Sequence, residues 1–433
     1  MRGLKNSIVH FIKGTDWILL FLAIVTSAFG ALMVYSAKLH TITSGIPREA
    51  LVMVIATVLG LVAAIIISLI DYDIICKLWF IWAALGIGLM ILVMSPLGVA
   101  PPNRPDSQIW IPLGFFYFQP SELVKVLFII TFSTHLSVMK QSINKPLNIL
   151  LLGLHALVPT LLVMKSGDDG SAAVFIFIAL AMLFMAGIGW QYILAAVVLV
   201  GAAIPLLWFK FFSDYQKQRF IVIVDPEAYP DVAYQQNRGI TAICNGGFLG
   251  EGLFKGTYTQ SGSVPVSESD MIFTVVCEEL GFVGGLAAFA LIFLIIFKVI
   301  RNGRKSTDTA TTFMSYGIGA MIASQTIINI AMCLRVGPVI GITWPDSKTR
   351  NDFQVIKSLT LISGARCVIP GGVALRIWTL GRLLCAHGLS AQSLWRRQGW
   401  SLWPRLRERE QASQRSAILS STLALCRCIN HSC

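Results

Sequence analysis

Apolar residues in this chain come in long blocks separated by short polar or glycine-rich joints. The first block runs from Trp17 to Ala37 without a charged residue. A helix needs roughly 20 such residues to cross the hydrocarbon of a bilayer. The block is too long for a signal-peptide core and lacks an A-x-A cleavage pattern, so it reads as an uncleaved first span. Repeating the reading predicts nine spans, at about 17–37, 49–70, 78–97, 119–138, 147–164, 171–188, 191–208, 271–297 and 311–333. The expected fold class is all-α, a polytopic transmembrane helix bundle.

Most joints are short, and their basic residues fall on one side. Arg2, Lys5 and Lys13 precede span 1; Lys77, Lys140 and Lys145 sit in the next short joints of the same parity; Lys298, Arg301, Arg304 and Lys305 lie between spans 8 and 9. Basic short loops stay in the cytoplasm, which predicts a cytoplasmic N-terminus. Two longer connections then lie outside, Leu97–Phe118 and Phe209–Asp270. The second is far longer than a typical loop. It contains the glycine run GGFLGEGLFKG, and loops of that size usually carry function.

Composition sharpens this picture. The 433 residues are 55% hydrophobic and 13% charged, about half the charge of a soluble domain. The net charge is +12, which would ordinarily raise nucleic acid as a partner. Residues 345–433 alone hold 13 Lys and Arg against 4 Asp and Glu. The basic character therefore belongs to the tail, and nucleic-acid binding is not expected. Five of the nine cysteines lie there as well, and no Cys/His group has zinc spacing.

Ionisable groups inside a span usually mark function or a pair. Glu122 and Lys125, in the FQPSELVK segment, share a helix face at i, i+3; they form either a structural ion pair or part of a site. Asp168-Asp169-Gly170-Ser171 reads on its own as a capped polar turn. Asp270, Glu278 and Glu279 crowd the head of span 8, where compensation of the helix dipole accounts for Asp270 but not for the deeper pair. Gln325 and Asn329 at i, i+4 suit hydrogen bonding between helices.

In order, these pieces resemble the SEDS family of peptidoglycan glycosyltransferases, which includes RodA, FtsW and SpoVE. The resemblance rests on Trp110-Ile111-x-Leu113-Gly114, Gln119-Pro120-Ser121-Glu122-x-x-Lys125 and Asp168-x-Gly170-Ser171. It continues through Gln218-Arg219-Phe220, Asp225-Pro226, Tyr234-Gln235 and Pro265-x-x-Glu268-x-Asp270-x-Ile272-Phe273. Glu278-Glu279-x-Gly281, Asn329-Ile330 and Gly337-Pro338-x-x-Gly341 complete it, the last leaning toward the RodA branch. The resemblance implies ten helices with a long outer loop between the seventh and eighth, in the bacterial cytoplasmic membrane. It implies polymerisation of lipid II together with a class B penicillin-binding protein. It makes Asp270 the essential residue, with Trp110, Gln119, Glu122, Lys125, Asp168, Arg219 and Glu278 as substrate-binding residues. Asp270 could act as a general base or hold a divalent cation such as Mg or Mn, and no resident metal site is expected. A lipid-precursor transporter and a non-catalytic assembly scaffold are the competing readings.

After residue 344 the family pattern stops. Its best later apolar stretch, about Val368–Leu384, is interrupted by Arg376 and Arg382. The expected organisation is a SEDS-like domain over 1–344, with the outer loop at about 209–270, and a basic, Cys- and Trp-rich tail over 345–433 that looks frameshifted or otherwise non-native.

Overall fold

The computed structural model describes residues 16–41, 45–69, 72–100, 107–113, 117–212 and 214–338. The tail at 345–433, Gly114, Gly341 and the basic N-terminal residues lie outside the described residues. All nine expected spans coincide with helices: α1 (Trp17–Lys38), α2 (Arg48–Leu69), α4 (Trp79–Val93), α5 (Pro120–Met139), α6 (Pro146–Lys165), α7 (Asp169–Ala186), α8 (Trp190–Leu206), α12 (Ile272–Arg304) and α13 (Thr309–Cys333). A short α3 (Tyr72–Lys77) precedes α4. Seven of the nine are long and apolar enough to cross a membrane; α4 and α8 are shorter apolar helices.

Packing follows a bilayer rule. On α6, Leu147, Leu150, Leu154, Leu157 and Leu161 recur at three- and four-residue spacing and all are exposed. In water that face would be buried; against lipid tails it needs no cover. The most enclosed helices are α5 and α13, and with α7 they supply the centre, where Phe132, Leu136, Phe175, Ile178, Met182 and Met321 are sealed from solvent. A polar pin joins α5 to α6. His135 and His155 meet through their Nδ1 atoms at 3.0 Å, and His155 Nε2 lies 3.1 Å from the Thr131 hydroxyl.

The long connection at 209–270 is built rather than slack. It holds α9 (Asp214–Val224), α10 (Pro230–Gly246) and α11 (Thr257–Gln260). On α10 the buried positions Ala233, Gln236, Gly239, Ala242 and Gly246 form one stripe at helical spacing, and this stripe packs toward α12. Gln236, fully buried, donates through Nε2 to the carbonyls of Met332 (3.1 Å) and Gly337 (2.8 Å), clamping the end of α13.

The ends of α1 fix which elements share a membrane face. Asp16 caps α1 by accepting from the Ile18 and Leu19 N–H groups. It also pairs with Lys298 (3.1 Å) and accepts from Asn302 (2.8 Å), both on the last turns of α12. The start of α1 and the end of α12 therefore lie on one side. The end of α1, the long connection and the head of α12 meet on the other.

Candidate active site

The heads of α5 and α7 bring four of the expected residues together. Gln119 reaches α5 through a short antiparallel pair, Ile111–Pro112 (β1) against Tyr117–Phe118 (β2), and Pro120 fills the first helical turn where its missing N–H is not needed. Trp110, just before this pair, is buried and bridged to Val99 by a 2.7 Å backbone bond. The Gln119 amide and the Ser121 hydroxyl both donate to Asp168 Oδ2 at 2.7 Å. Asp168 Oδ1 accepts from the Ser171 N–H at 3.0 Å. Asp168 thus caps α7, as the local reading of the turn had it, and also ties α7 to α5.

One turn deeper, Lys125 Nζ donates to Glu122 Oε1 at 2.8 Å, and both side chains are 2% exposed or less. A buried pair of this kind is weak evidence for stability, because desolvation offsets the attraction. The other Glu122 oxygen and the Gln119 side-chain oxygen are buried without a hydrogen-bond partner among the described residues. Buried acceptors are normally satisfied; two unsatisfied ones near a lysine make a place that welcomes donors from outside the chain. Arg219 is buried on α9, and that helix is hooked to the head of α7 by Gln216 donating to Asp169 at 2.6 Å.

Asp270 lies at the head of α12, 9% exposed, on the tight turn Pro265–Met271. Val266 carries φ +59°, which a β-branched residue adopts at a cost of about 1–3 kcal/mol. Its carbonyl accepts from both Ser269 N–H and Met271 N–H at 3.2 Å. The Asp270 carbonyl accepts from the Asn329 amide at 3.0 Å and from the Cys333 thiol. Asn329 thus bonds across from α13, though to the turn that carries Asp270 rather than to another helix. Beside it a cavity of about 290 Å³ opens between α1, α2, α12 and α13, with Ser269, Gln325 and Asn329 at its polar edge. α13 packs against α5, α7 and α12 alike and is a wall common to both groups of residues.

Glu278 is fully buried in α12; one oxygen accepts from the Tyr258 N–H at 2.6 Å and the other from the Thr259 N–H and hydroxyl. This geometry anchors α11 to α12. Glu279 accepts from Ser36 and Gln260 with one oxygen and from the Phe254 N–H with the other. The glycine run explains itself here. α12 breaks at Gly281 (φ 67°, ψ −167°), and the backbone of residues 247–252 lies in the break. Glu251 and Gly252 N–H groups donate to the Glu278 and Glu279 carbonyls, while Phe282 and Val283 donate back to Gly247 and Phe248. Only glycine permits backbones this close.

Sequence reasoning missed Lys38. It sits in the last turn of α1, buried, 3.1 Å from Glu268. A lysine ending an otherwise uncharged span was the available signal. Among the described residues no group of three or more His, Cys, Asp or Glu could hold a metal ion, so a divalent cation here would have to take most of its ligands from substrate or water.

Comparison with known proteins agrees with this picture. The profile of the FtsW/RodA/SpoVE cell cycle proteins matches residues 16–346. The chain is 31% identical over 320 residues to the peptidoglycan glycosyltransferase MrdB of Escherichia coli, covering 73% of this chain and 84% of that protein. It is 28% identical over 348 residues to a probable peptidoglycan glycosyltransferase FtsW of a Geobacter species, covering 77% and 91%. A chain from a peptidoglycan synthase complex that coordinates polymerization and crosslinking superposes with TM-score 0.68 at 22% identity, over 82% of this chain and 97% of that one. An aspartate-to-alanine mutant of the Thermus thermophilus rod shape determining protein RodA superposes at 0.59 and 20% identity, with the same coverage. The chain is a multi-span membrane protein that belongs to the FtsW/RodA/SpoVE family.

Proposed function

We propose that this chain is a peptidoglycan glycosyltransferase that polymerises lipid II into glycan strands at the outer face of the bacterial cytoplasmic membrane, with Asp270 as the catalytic carboxylate. The observation that carries the reading is the braced turn. Asp270 sits on a strained segment gripped by Asn329 and Cys333, where span and outer loop meet, and strain of this sort collects at functional sites. The similarity to MrdB over most of its length supports the reaction class.

In this reading an acceptor sugar hydroxyl attacks the anomeric carbon of the donor. The bond from that carbon to the pyrophosphate oxygen breaks, and Asp270 takes the hydroxyl proton as general base. Lys125 and Arg219 supply positive charge toward the departing pyrophosphate. The unsatisfied Glu122 and Gln119 oxygens accept hydrogen bonds from sugar hydroxyls or amides. Asp168 and Trp110 position these groups, and the lipid tail stays in the bilayer. The N-terminus is cytoplasmic, and a class B penicillin-binding protein is the partner, as the family resemblance implies; that a structural relative belongs to a peptidoglycan synthase complex supports an assembly of this kind. The catalytic unit is 1–344, with 345–433 as an appended basic segment beyond it.

The test is lipid II polymerisation by purified protein carrying Asp270→Asn. The asparagine keeps shape and polarity but cannot accept the proton, so glycan product should vanish while expression and melting behaviour hold. Full activity in this variant would remove Asp270 from the mechanism.

A further inference from the structure

We propose that Lys38 is a positioning residue for the catalytic turn: its ion pair with Glu268 fixes the Pro265–Met271 segment, and Asp270 with it, against the end of α1. The inference rests on the reading of Asp270 given above.

The far side of the turn is held by α13, through Asn329 and Cys333. Its near side meets α1, and the ion pair there is Lys38 Nζ to Glu268 Oε1 at 3.1 Å, with side chains 10% and 5% exposed. Glu268 is two residues before Asp270, so the pair grips the strand of chain that carries the carboxylate. The surrounding contacts show that the end of α1 is built as a platform for this loop. Gln260 donates to the Ser36 carbonyl (3.1 Å) and hydroxyl (3.2 Å), Ser36 donates to Glu279, and Gly262 lies against the His40 ring. Lys38 supplies an ionic contact of the platform with the turn itself.

Removing the lysine takes from the buried Glu268 carboxylate the charge that Lys38 supplies. Glu268 then shifts away from the end of α1, and the two-residue link carries Asp270 with it. A displacement of about 1 Å at a reacting group lowers rate by roughly a hundredfold. Substrate contacts on α5 and α7 are untouched, so binding should survive. The signature of positioning is a loss in kcat with KM preserved.

The experiment uses the full-length chain with Lys38→Met, Lys38→Arg, Glu268→Gln and the Lys38→Met/Glu268→Gln double variant, beside Asp270→Asn. Two quantities are read: lipid II polymerisation kinetics, and hydrogen exchange of the Ser269 and Met271 amides, both of which bond to Val266. We expect kcat to fall about tenfold to a hundredfold in Lys38→Met and Glu268→Gln with KM shifted less than about twofold. The double variant, which removes both charges of the pair together and so should fold, is expected to lose as much as either single and no more, since the two residues act as one unit. Arginine should restore most of the rate. Amide protection at 269 and 271 should fall in the lysine and glutamate variants while that in α13 holds. Unchanged exchange in Lys38→Met overturns the proposal whatever the activity. So does wild-type kcat, or a KM effect alone. An active Asp270→Asn would sink the assignment of the base instead, and the exchange result would still decide whether Lys38 fixes the turn.

Discussion

Gly281→Ala is the sharpest test of how the long connection is held. At this position φ is 67° and ψ −167°, a region essentially reserved for glycine, and alanine there costs about 1–3 kcal/mol in backbone strain. A Cβ would also lie 2.4 Å from the Phe248 carbonyl oxygen and 2.4 Å from the Gly250 nitrogen. Both are backbone atoms, so no side chain can swing aside. The loop must lift, and four backbone hydrogen bonds go with it: Glu251 to Glu278, Gly252 to Glu279, Phe282 to Gly247 and Val283 to Phe248. At about 0.5–1.5 kcal/mol each, they represent about 2–6 kcal/mol. The combined penalty is comparable with a whole domain's margin of stability, so detachment of residues 247–260 is the cheaper response. Hydrogen exchange should show the four donors losing protection while the lower part of α12 keeps it, and polymerisation should fall with them. Gly153→Ala is the control, because that helical glycine is exposed with nothing within 4 Å of a new Cβ; it should stabilise by about 0.5–1 kcal/mol. A Gly281→Ala protein with native protection at all four amides would refute the account of the glycine run.

Lys125→Met strands the buried Glu122 carboxylate and should cost about 3–5 kcal/mol in detergent; adding Glu122→Gln should recover most of the stability but not polymerisation, and an active double variant would return the pair to a structural role. At Asp16, partial burial pushes the carboxyl up, but hydrogen bonds from Asn302, Leu19 and Lys298 and the Lys298 charge outweigh it and hold the group below its ordinary value of 3.8. Its stabilisation is therefore present above that value and lost as pH falls through the lowered one, so melting temperature should drop more steeply with acid in the parent chain than in Asp16→Asn; parallel curves would count against it. For orientation, an impermeant thiol reagent applied from outside should label a cysteine placed at Tyr258 and miss one at Lys305, and the reverse pattern would invert the topology.

The spans were legible because each needs only its own residues: twenty apolar positions announce a membrane helix without any knowledge of neighbours. Glu122 and Lys125 were legible for the same reason, since a three-residue spacing places both on one face. Asp168 was only half legible. Its cap is local, whereas its bonds to Gln119 and Ser121 join two helices. Lys38–Glu268, Ser36–Glu279 and Gln236–Gly337 were invisible, because no periodicity links residues a hundred or more positions apart. Glu278 and Glu279 were only half legible for a related reason. A carboxylate deep in a span demands a partner, but sequence does not say whether that partner is a ligand or the chain's own loop. The backbone N–H groups of Phe254, Tyr258 and Thr259 supply it without any side-chain signature.

Both ends of α1 are bolted to α12: Asp16 to Lys298 and Asn302 at one face of the membrane, Ser36 to Glu279 at the other. Its 22 residues span about 33 Å at 1.5 Å per residue, close to the ~30 Å of bilayer hydrocarbon. A lone helix meets a thinner bilayer by leaning over. α1 cannot lean alone, so a change in thickness tilts the two helices as one strut, and the strut carries the Asp270 turn at one end. We expect the enzyme to report bilayer thickness: reconstituted in lipids of graded acyl length, its rate should pass through a maximum, and cutting the lower bolt with Asp16→Ala should broaden that maximum. An identical profile with the bolt cut would show that the strut bears no load.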